Sequence, residues 1–181
     1  MIYISLLRGI NVGPHKRMKM EKLRASCESL GFDQIATYIQ SGNLVFKAPK
    51  QAPEAVSRKI ETQIEADFGF SVEVMTRTAD DLKMIVRGNP LLKECRGEES
   101  KLHVVFLSAA PKRDSIAKLE TLILAPDLVR ASGREIYFYF PNGVSGSSLW
   151  KHNLDRVMGV SGTMRNWNTD NKLLEMAQKC G

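Results

Sequence analysis

The order of strand and helix patterns is the sequence feature that most constrains the fold. Apolar periodicity over residues 2–76 predicts a strand, a helix, two strands, a helix and a strand. This β-α-β-β-α-β order is the split βαβ arrangement of ferredoxin-like folds. The order β-α-β-β then recurs after residue 77, without any repeat at the level of residues. We therefore predict an α+β protein of two ferredoxin-like halves packed together, 1–77 and 78–181, the second ending in C-terminal helices.

The predicted helix boundaries rest on residues that start or stop helices. Gly31 follows a helical stripe over residues 19–30, while Pro53 opens a second helix that Gly69 ends. Thr78, with an acid three residues later, has the spacing of an N-cap. Further helices are predicted over 114–124, over a segment carrying 149–157, and from Thr169 onward. The predicted strands are 2–7, 34–39, 44–47, 70–76, 102–107, 128–131 and 135–140.

Composition places the chain among ordinary globular proteins. Its 181 residues are 43% hydrophobic and 25% charged, and no apolar run approaches the length of a membrane span. The N-terminus lacks a basic leader and is better explained as a first strand than as a signal peptide. Cys27, Cys95 and Cys180 form an odd set without C-x-x-C spacing, which favours a reducing compartment. We expect a cytoplasmic protein without a metal, a cofactor or a membrane partner.

The positive charge is concentrated near the N-terminus. The whole chain carries a formal net charge of +6, and residues 1–24 hold six cations against a single acid, Glu21. Such a patch attracts phosphates or nucleic acid. The alternative is a helix face whose charges are simply solvated.

One candidate site follows the first predicted strand. The segment after Leu7 contains Arg8, Gly9, Asn11, Lys16 and Arg17. Glycine permits unusual backbone angles, so the loop can present N–H groups to a phosphate, and the cations add charge. The spacing matches neither a P-loop nor G-x-G-x-x-G. The alternative is a strand-to-helix connection in which Asn11 satisfies backbone groups.

The second candidate site precedes the last predicted helix. Arg165, Asn166, Trp167 and Thr169 combine a guanidinium, an amide, an indole and a hydroxyl at a helix start. A helix N-terminus favours anions, and arginine adds a bidentate fork for phosphate or carboxylate. In the structural alternative Thr169 caps the helix, Trp167 fills a seam between the halves, and Arg165 with Asn166 ties a loop to backbone carbonyls.

Three further expectations concern geometry and burial. The turn at 41–43 is predicted to lie at the opposite end of the sheet from Arg8 and Gly9, so that the two could not touch one small ligand. In the run 137–140, alternation is expected to place Phe138 and Phe140 in the core and to leave the tyrosines outward. Cys27 falls on a helical stripe and is expected to be buried and unreactive.

Four segments carry a resemblance to a known family. The runs LLRGINVG at 6–13, YIQSGN at 38–43, FPNG at 140–143 and TMRNWNT at 163–169 resemble, in this order, a bacterial family of unknown function, domain-of-unknown-function family 1697. Members commonly have a second glycine after the position of Gly13, where this chain has Pro14. The resemblance implies an α+β protein of ferredoxin-like halves and implies no activity.

Three functions follow from these observations. The first is binding of a phosphorylated ligand, either a nucleotide-like molecule or nucleic acid, through the Arg- and Asn-rich loops. The second is an enzyme in which Arg165 and Asn166 stabilise developing negative charge, although the sequence names no nucleophile or base. The third is a protein–protein interaction module. The sequence leaves the reaction, the ligand and the oligomeric state open.

Overall fold

The fold was analysed in a computed structural model that describes residues 1–180. The chain divides into two compact units. The first unit comprises residues 1–84 together with 172–181, and the second comprises residues 85–171. The division into autonomous domains at residue 77 stays a prediction.

The first unit is built on a four-stranded antiparallel sheet. Its strands are β1 (Ile2–Leu7), β2 (Asp33–Tyr38), β3 (Asn43–Lys47) and β4 (Val74–Thr78), in the order β2-β3-β1-β4. Helix α1 (Met20–Ser29) links β1 to β2, helix α2 (Pro53–Phe68) links β3 to β4, and α3 (Ala79–Arg87) follows β4.

The core of this unit lies between the sheet and α1 and α2. Val56, Ile60 and Ile64 recur every four residues along α2 and are fully buried in a cluster with Tyr3 and Phe46. Burying a side chain of this size contributes about 1.5–3 kcal/mol, so the apolar stripe fixes which face of α2 meets the sheet.

The second unit repeats the same sheet order. Its strands are β5 (Leu102–Leu107), β6 (Leu128–Ser132), β7 (Glu135–Tyr139) and β8 (Gly162–Asn166), in the order β6-β7-β5-β8. Its helices are α4 (Arg113–Leu122) and the short α5 (Leu154–Met158), and α6 (Trp167–Lys179) follows β8. The predicted α+β class with two ferredoxin-like halves is confirmed.

Several element boundaries differ from those predicted. The fourth strand covers 74–78 rather than 70–76, and 162–166 is a strand rather than a loop. The helix predicted over 149–157 is replaced by two 3-10 turns and α5, because Ser147 and Asn153 each cap a new turn with a side-chain oxygen. The last helix begins at Trp167, two residues before the predicted start.

The tyrosines of β7 are buried, contrary to the prediction. Phe138 is fully buried as expected, but Tyr137 and Tyr139 expose only 3% and 7% of their surface. Val104 and Phe106 on the neighbouring strand β5 are buried as well. Both faces of this sheet are therefore covered at β5 and β7, which alternation alone cannot reveal. Within residues 1–180, no helix combines the length and apolar character that crossing a bilayer requires.

Candidate functional site

The loop that joins β1 to α1, residues 8–18, is held in an unusual backbone conformation. Gly9, Asn11, Gly13 and Lys16 all have positive φ, between 52° and 72°. Asn11 fixes this shape: its Nδ2 donates to the carbonyls of Met18 (2.9 Å) and Gln40 (2.8 Å), and its Oδ1 accepts from the Met18 N–H (2.8 Å). Asn11 thus satisfies backbone groups and stabilises the loop, as expected if the segment is a strand-to-helix connection.

The turn between β2 and β3 lies beside this loop. The Leu7 N–H donates to the Gly42 carbonyl (2.8 Å), and a Cβ at Gly42 would stand 2.6 Å from the Leu7 Cβ and 2.7 Å from the Ile10 Cδ1. The predicted location at the opposite end of the sheet is wrong. Strands β1 and β2 are both antiparallel to β3, which lies between them, so they run in the same direction and end together.

A cavity of about 660 Å³ lies on one side of the loop. It is called here the mixed-charge cavity and is lined by Arg8, Gly9, Lys16, Glu61, Thr62, Glu65, Ser71, Val72 and Glu73. The Arg8 guanidinium donates to Glu73 at 2.9 Å, and the Lys16 Nζ donates to the Ser71 carbonyl at 2.8 Å. With three carboxylates against two cations, this cavity does not favour an anion.

A second cavity, of about 460 Å³, is bordered by other residues of the same loop. It is called here the cationic cavity and is lined by Asn11, Arg17, Met18, Lys19, Lys22, Gln40 and Phe68. Arg17, Lys19 and Lys22 are exposed. Within residues 1–180, their side chains make no hydrogen bond or ion pair. None of the lining residues is acidic.

Helix α1 begins at this cavity. Lys19 is its N-cap residue, and no side chain caps the terminus. The first N–H groups of a helix have no intrahelical partner and carry partial positive charge, so they reinforce the field of the three cations. Lys19 and Lys22 lie in the basic stretch of the sequence, but no motif marks them, Gln40 or Phe68 as site residues. The spacing of three residues between the two lysines, which places them on one helix face, was the available signal.

The second predicted segment forms the junction between β8 and α6 in the other unit. Arg165, Trp167 and Thr169 are buried, with 8%, 3% and 5% of their surface exposed. The Arg165 Nη1 donates to the Thr163 Oγ1 (2.7 Å) and the Met164 carbonyl (2.9 Å). Asn166 is exposed, and its Oδ1 accepts the Thr169 N–H at 2.8 Å. Asn166, rather than Thr169, therefore caps α6.

Asp170 is a buried acid that sequence analysis did not select. It is fully buried, and within residues 1–180 neither carboxyl oxygen has a hydrogen-bond partner. Burial raises the pKa of Asp170 well above its ordinary value, although the nearby Arg165 opposes the shift. Burial also disfavours the charged form of Arg165 and so lowers its pKa to about 10. The position of Asp170, three residues after Trp167 and three before Leu173, places it on the apolar stripe of α6.

Cys27 and His103 are arranged for packing. Cys27 is buried as expected, and burial raises the pKa of its thiol to about 12, so the thiolate is scarce at neutral pH. His103 lies edge-on to Phe140 at 5.4 Å, and burial lowers the pKa of its imidazole. Within residues 1–180, no group of three or more potential ligands is placed to hold a metal ion.

Comparison with known proteins identifies the family. The model of a family described as "Protein of unknown function (DUF1697)" matches residues 1–137. The chain belongs to this family, as the four sequence runs indicated. No significant match was found among curated proteins.

A solved structure has the same fold. The chain is similar to the conserved bacterial protein SP0830 from Streptococcus pneumoniae, with a TM-score of 0.77 and 22% identity. The match covers 97% of this chain and 98% of that one. At this identity the likeness defines the fold alone.

Proposed function

We propose that the protein binds a phosphorylated ligand in the cationic cavity. The observation that carries the proposal is a set of three exposed cations, Arg17, Lys19 and Lys22, around one cavity without an acidic lining residue. Cations without partners in the protein do not have to break an ion pair before they bind an anion. The proposal concerns binding and includes no reaction.

The chemistry of the three side chains suits a phosphate. Arginine offers a planar fork that donates two hydrogen bonds to one phosphate, whereas lysine adds a compact charge. The uncapped start of α1 contributes backbone donors on the same side. The volume of about 460 Å³ lies within the range typical of small-molecule sites.

The other predicted residues have supporting roles in this proposal. Arg8 and Lys16 already bond to Glu73 and Ser71, and the carboxylates of the mixed-charge cavity would repel a phosphate there. Gly9 and Asn11 shape the loop that carries Arg17. The members of the second segment, Arg165, Asn166, Trp167 and Thr169, build the start of α6 instead.

Calorimetric titration with inorganic phosphate and pyrophosphate tests the proposal. The matched pair of variants is Arg17→Ala/Lys22→Ala and Lys47→Ala/Lys50→Ala. Lys47 pairs with Ile2 at the start of β1, at the end of the sheet opposite the loop, and both control lysines are exposed. Each double variant removes the same charge, so the comparison separates a local site from the general field of a basic protein.

We expect the cavity variant to bind at least about tenfold more weakly, since a hydrogen bond to a charged group contributes about 1.5–3 kcal/mol. The control variant should bind like the wild type. Equal weakening in both variants, or no binding by the wild type, would overturn the proposal.

A further inference from the structure

We propose further that the ligand is a mononucleotide whose base lies against Phe68, rather than a strand of nucleic acid. This inference rests on the proposed function, because it takes the cationic cavity as the phosphate site. Three features support it: an aromatic ring in the lining, a side-chain amide in the same lining, and the carboxylates that line the other cavity on this loop.

Phe68 gives the cavity an aromatic surface. It is the last residue of α2 and is half-buried, so part of its ring faces the cavity. The Phe70 ring packs against the Phe68 ring, with the two ring centroids 6.0 Å apart and the planes inclined at 52°. A nucleobase stacked on an aromatic side chain contributes about 1–3 kcal/mol, and a sugar phosphate has no comparable group.

Gln40 adds a polar group that can recognise the edge of a base. Its backbone carbonyl accepts the Asn11 amide, which holds the residue against the loop. Its side chain is exposed and carries both a donor and an acceptor. A base on Phe68 and a phosphate on Arg17 and Lys22 would thus use different side chains that line one cavity.

Carboxylates border the cationic cavity's neighbour on the same loop and disfavour a polymer there. The mixed-charge cavity is lined by other residues of the loop, and in it Glu61, Glu65 and Glu73 outnumber Arg8 and Lys16. A single strand of nucleic acid needs a positive groove that follows several successive phosphates. A strand that extended past the loop would bring its next phosphates against glutamates.

The aromatic strand β7 of the second sheet does not provide an alternative surface for RNA. RNA-binding ferredoxin-like domains stack bases on aromatic side chains exposed on their sheet. Here Tyr137 and Phe138, on opposite faces of β7, expose 3% and 0% of their surface. A base therefore has no aromatic platform on that strand.

The test compares four probes: inorganic phosphate, ribose 5-phosphate, adenosine 5′-monophosphate and a 12-nucleotide thymidine strand. The matched variants are Phe68→Leu, which keeps an apolar side chain but removes the ring, and Phe70→Leu, which changes a neighbouring ring outside the cavity lining. Circular dichroism and thermal unfolding confirm that both variants fold.

We expect the mononucleotide to bind about tenfold more tightly than ribose 5-phosphate, in line with the stacking of one base. Phe68→Leu should abolish that difference without changing the affinity for inorganic phosphate, and Phe70→Leu should preserve it. The affinity for the mononucleotide should also decline only shallowly with salt, since few cations are involved.

Each other outcome contradicts a specific statement. If the wild type binds inorganic phosphate but the base adds nothing, the inference fails while the proposed function stands. If the thymidine strand binds most tightly, with a steep dependence on salt, the ligand is a polymer and the inference fails. If neither phosphate nor nucleotide binds, the proposed function fails as well.

Discussion

Two strands of this protein run directly into a helix: β4 into α3, and β8 into α6. The two junctions are alike in how a strand arginine contacts the backbone. Each strand carries a buried arginine at its penultimate position, Arg77 in β4 and Arg165 in β8. In both, the arginine Nη1 donates at 2.9 Å to the carbonyl of the preceding residue, Thr76 or Met164. The two junctions therefore share this arginine contact.

The two junctions differ at the fourth residue of the helix that follows. This residue is Leu82 in α3, 1% exposed, and Asp170 in α6, 0% exposed. A leucine is fully compatible with this position, whereas the carboxyl of Asp170 has no hydrogen-bond donor. Since burying a carboxyl group without hydrogen bonds costs free energy, Asp170 lowers the stability of a junction that the fold can build without it.

The largest effect should come from removing the cation beside that acid. Arg165→Met leaves Asp170 buried without its charged neighbour and should lower the free energy of unfolding by about 3–5 kcal/mol at pH 8. Arg77→Met should cost less, about 1–3 kcal/mol, because Leu82 occupies the position of the acid. Urea denaturation of both variants at the same pH measures the difference.

The double variant Arg165→Met/Asp170→Leu provides the control for this comparison. It gives the second junction the apolar residue of the first, so it should recover most of the stability that Arg165→Met loses. Similar losses in Arg77→Met and Arg165→Met, with no recovery in the double variant, would show that the acid has no special effect.

A smaller and pH-dependent effect should follow from the carboxyl group itself. Burial raises the pKa of Asp170 in the folded state, so between its ordinary value and the raised value the folded chain holds more protons than the unfolded chain. The free energy of unfolding therefore falls as pH rises through this interval, by up to about 1.4 kcal/mol per pH unit. Asp170→Asn should remove this contribution and be more stable than the wild type at high pH.

Chemical denaturation at several pH values between 4 and 9 measures this slope. Asp80→Asn is the matched control, because Asp80 is an exposed acid in the first turn of α3. A wild-type slope that persists in Asp170→Asn would assign the pH dependence to other groups.

Periodicity and terminating residues were sufficient to predict most of the fold. The stripe of α2, Pro53 at its start and Gly69 with φ of 74° at its end agree with the structure. The capping pair of Thr78 and Asp81 was visible as a spacing of three residues. These features act within a few residues along the chain, which is why a single sequence reveals them.

Features that depend on packing between distant segments were missed. Strand β8 was taken for a loop because Thr163 and Arg165 are polar, although both face a buried side of the sheet. The turn at Gly42 was misplaced because the topology argument put the end of β1 at the wrong edge of the sheet: β1 and β2 are both antiparallel to β3, so β1 ends beside the turn. In the candidate site, the charges of Lys19 and Lys22 are evident from the sequence. Only the three-dimensional structure shows that these lysines line the same cavity as Phe68.

The smallest expected difference between the junctions lies in their N-caps. Thr78 and Asp81 form a reciprocal pair, with the Asp81 N–H donating to the Thr78 Oγ1 at 3.1 Å and the Thr78 N–H to the Asp81 carboxylate at 2.9 Å. Asn166 accepts one bond, from the Thr169 N–H. Since each cap contributes about 0.5–2 kcal/mol, we expect Thr78→Ala to cost about 1–2 kcal/mol and Asn166→Ala about 0.5–1 kcal/mol.

Thermal unfolding of the two alanine variants measures which cap contributes more to stability. The controls Thr78→Ser and Asn166→Asp keep a capping oxygen and should retain most of the stability that the alanine variants lose. A larger cost at Asn166 would mean that its cap also holds Asp170 in place, because the first turn of α6 carries both the capped N–H and the buried carboxyl. In that case Asn166→Ala should also weaken the pH dependence of stability, which Thr78→Ala should leave unchanged. The two caps would then differ in their contribution to stability because Asp170 follows the capped Thr169 N–H. The number of hydrogen bonds in each cap would not be the cause.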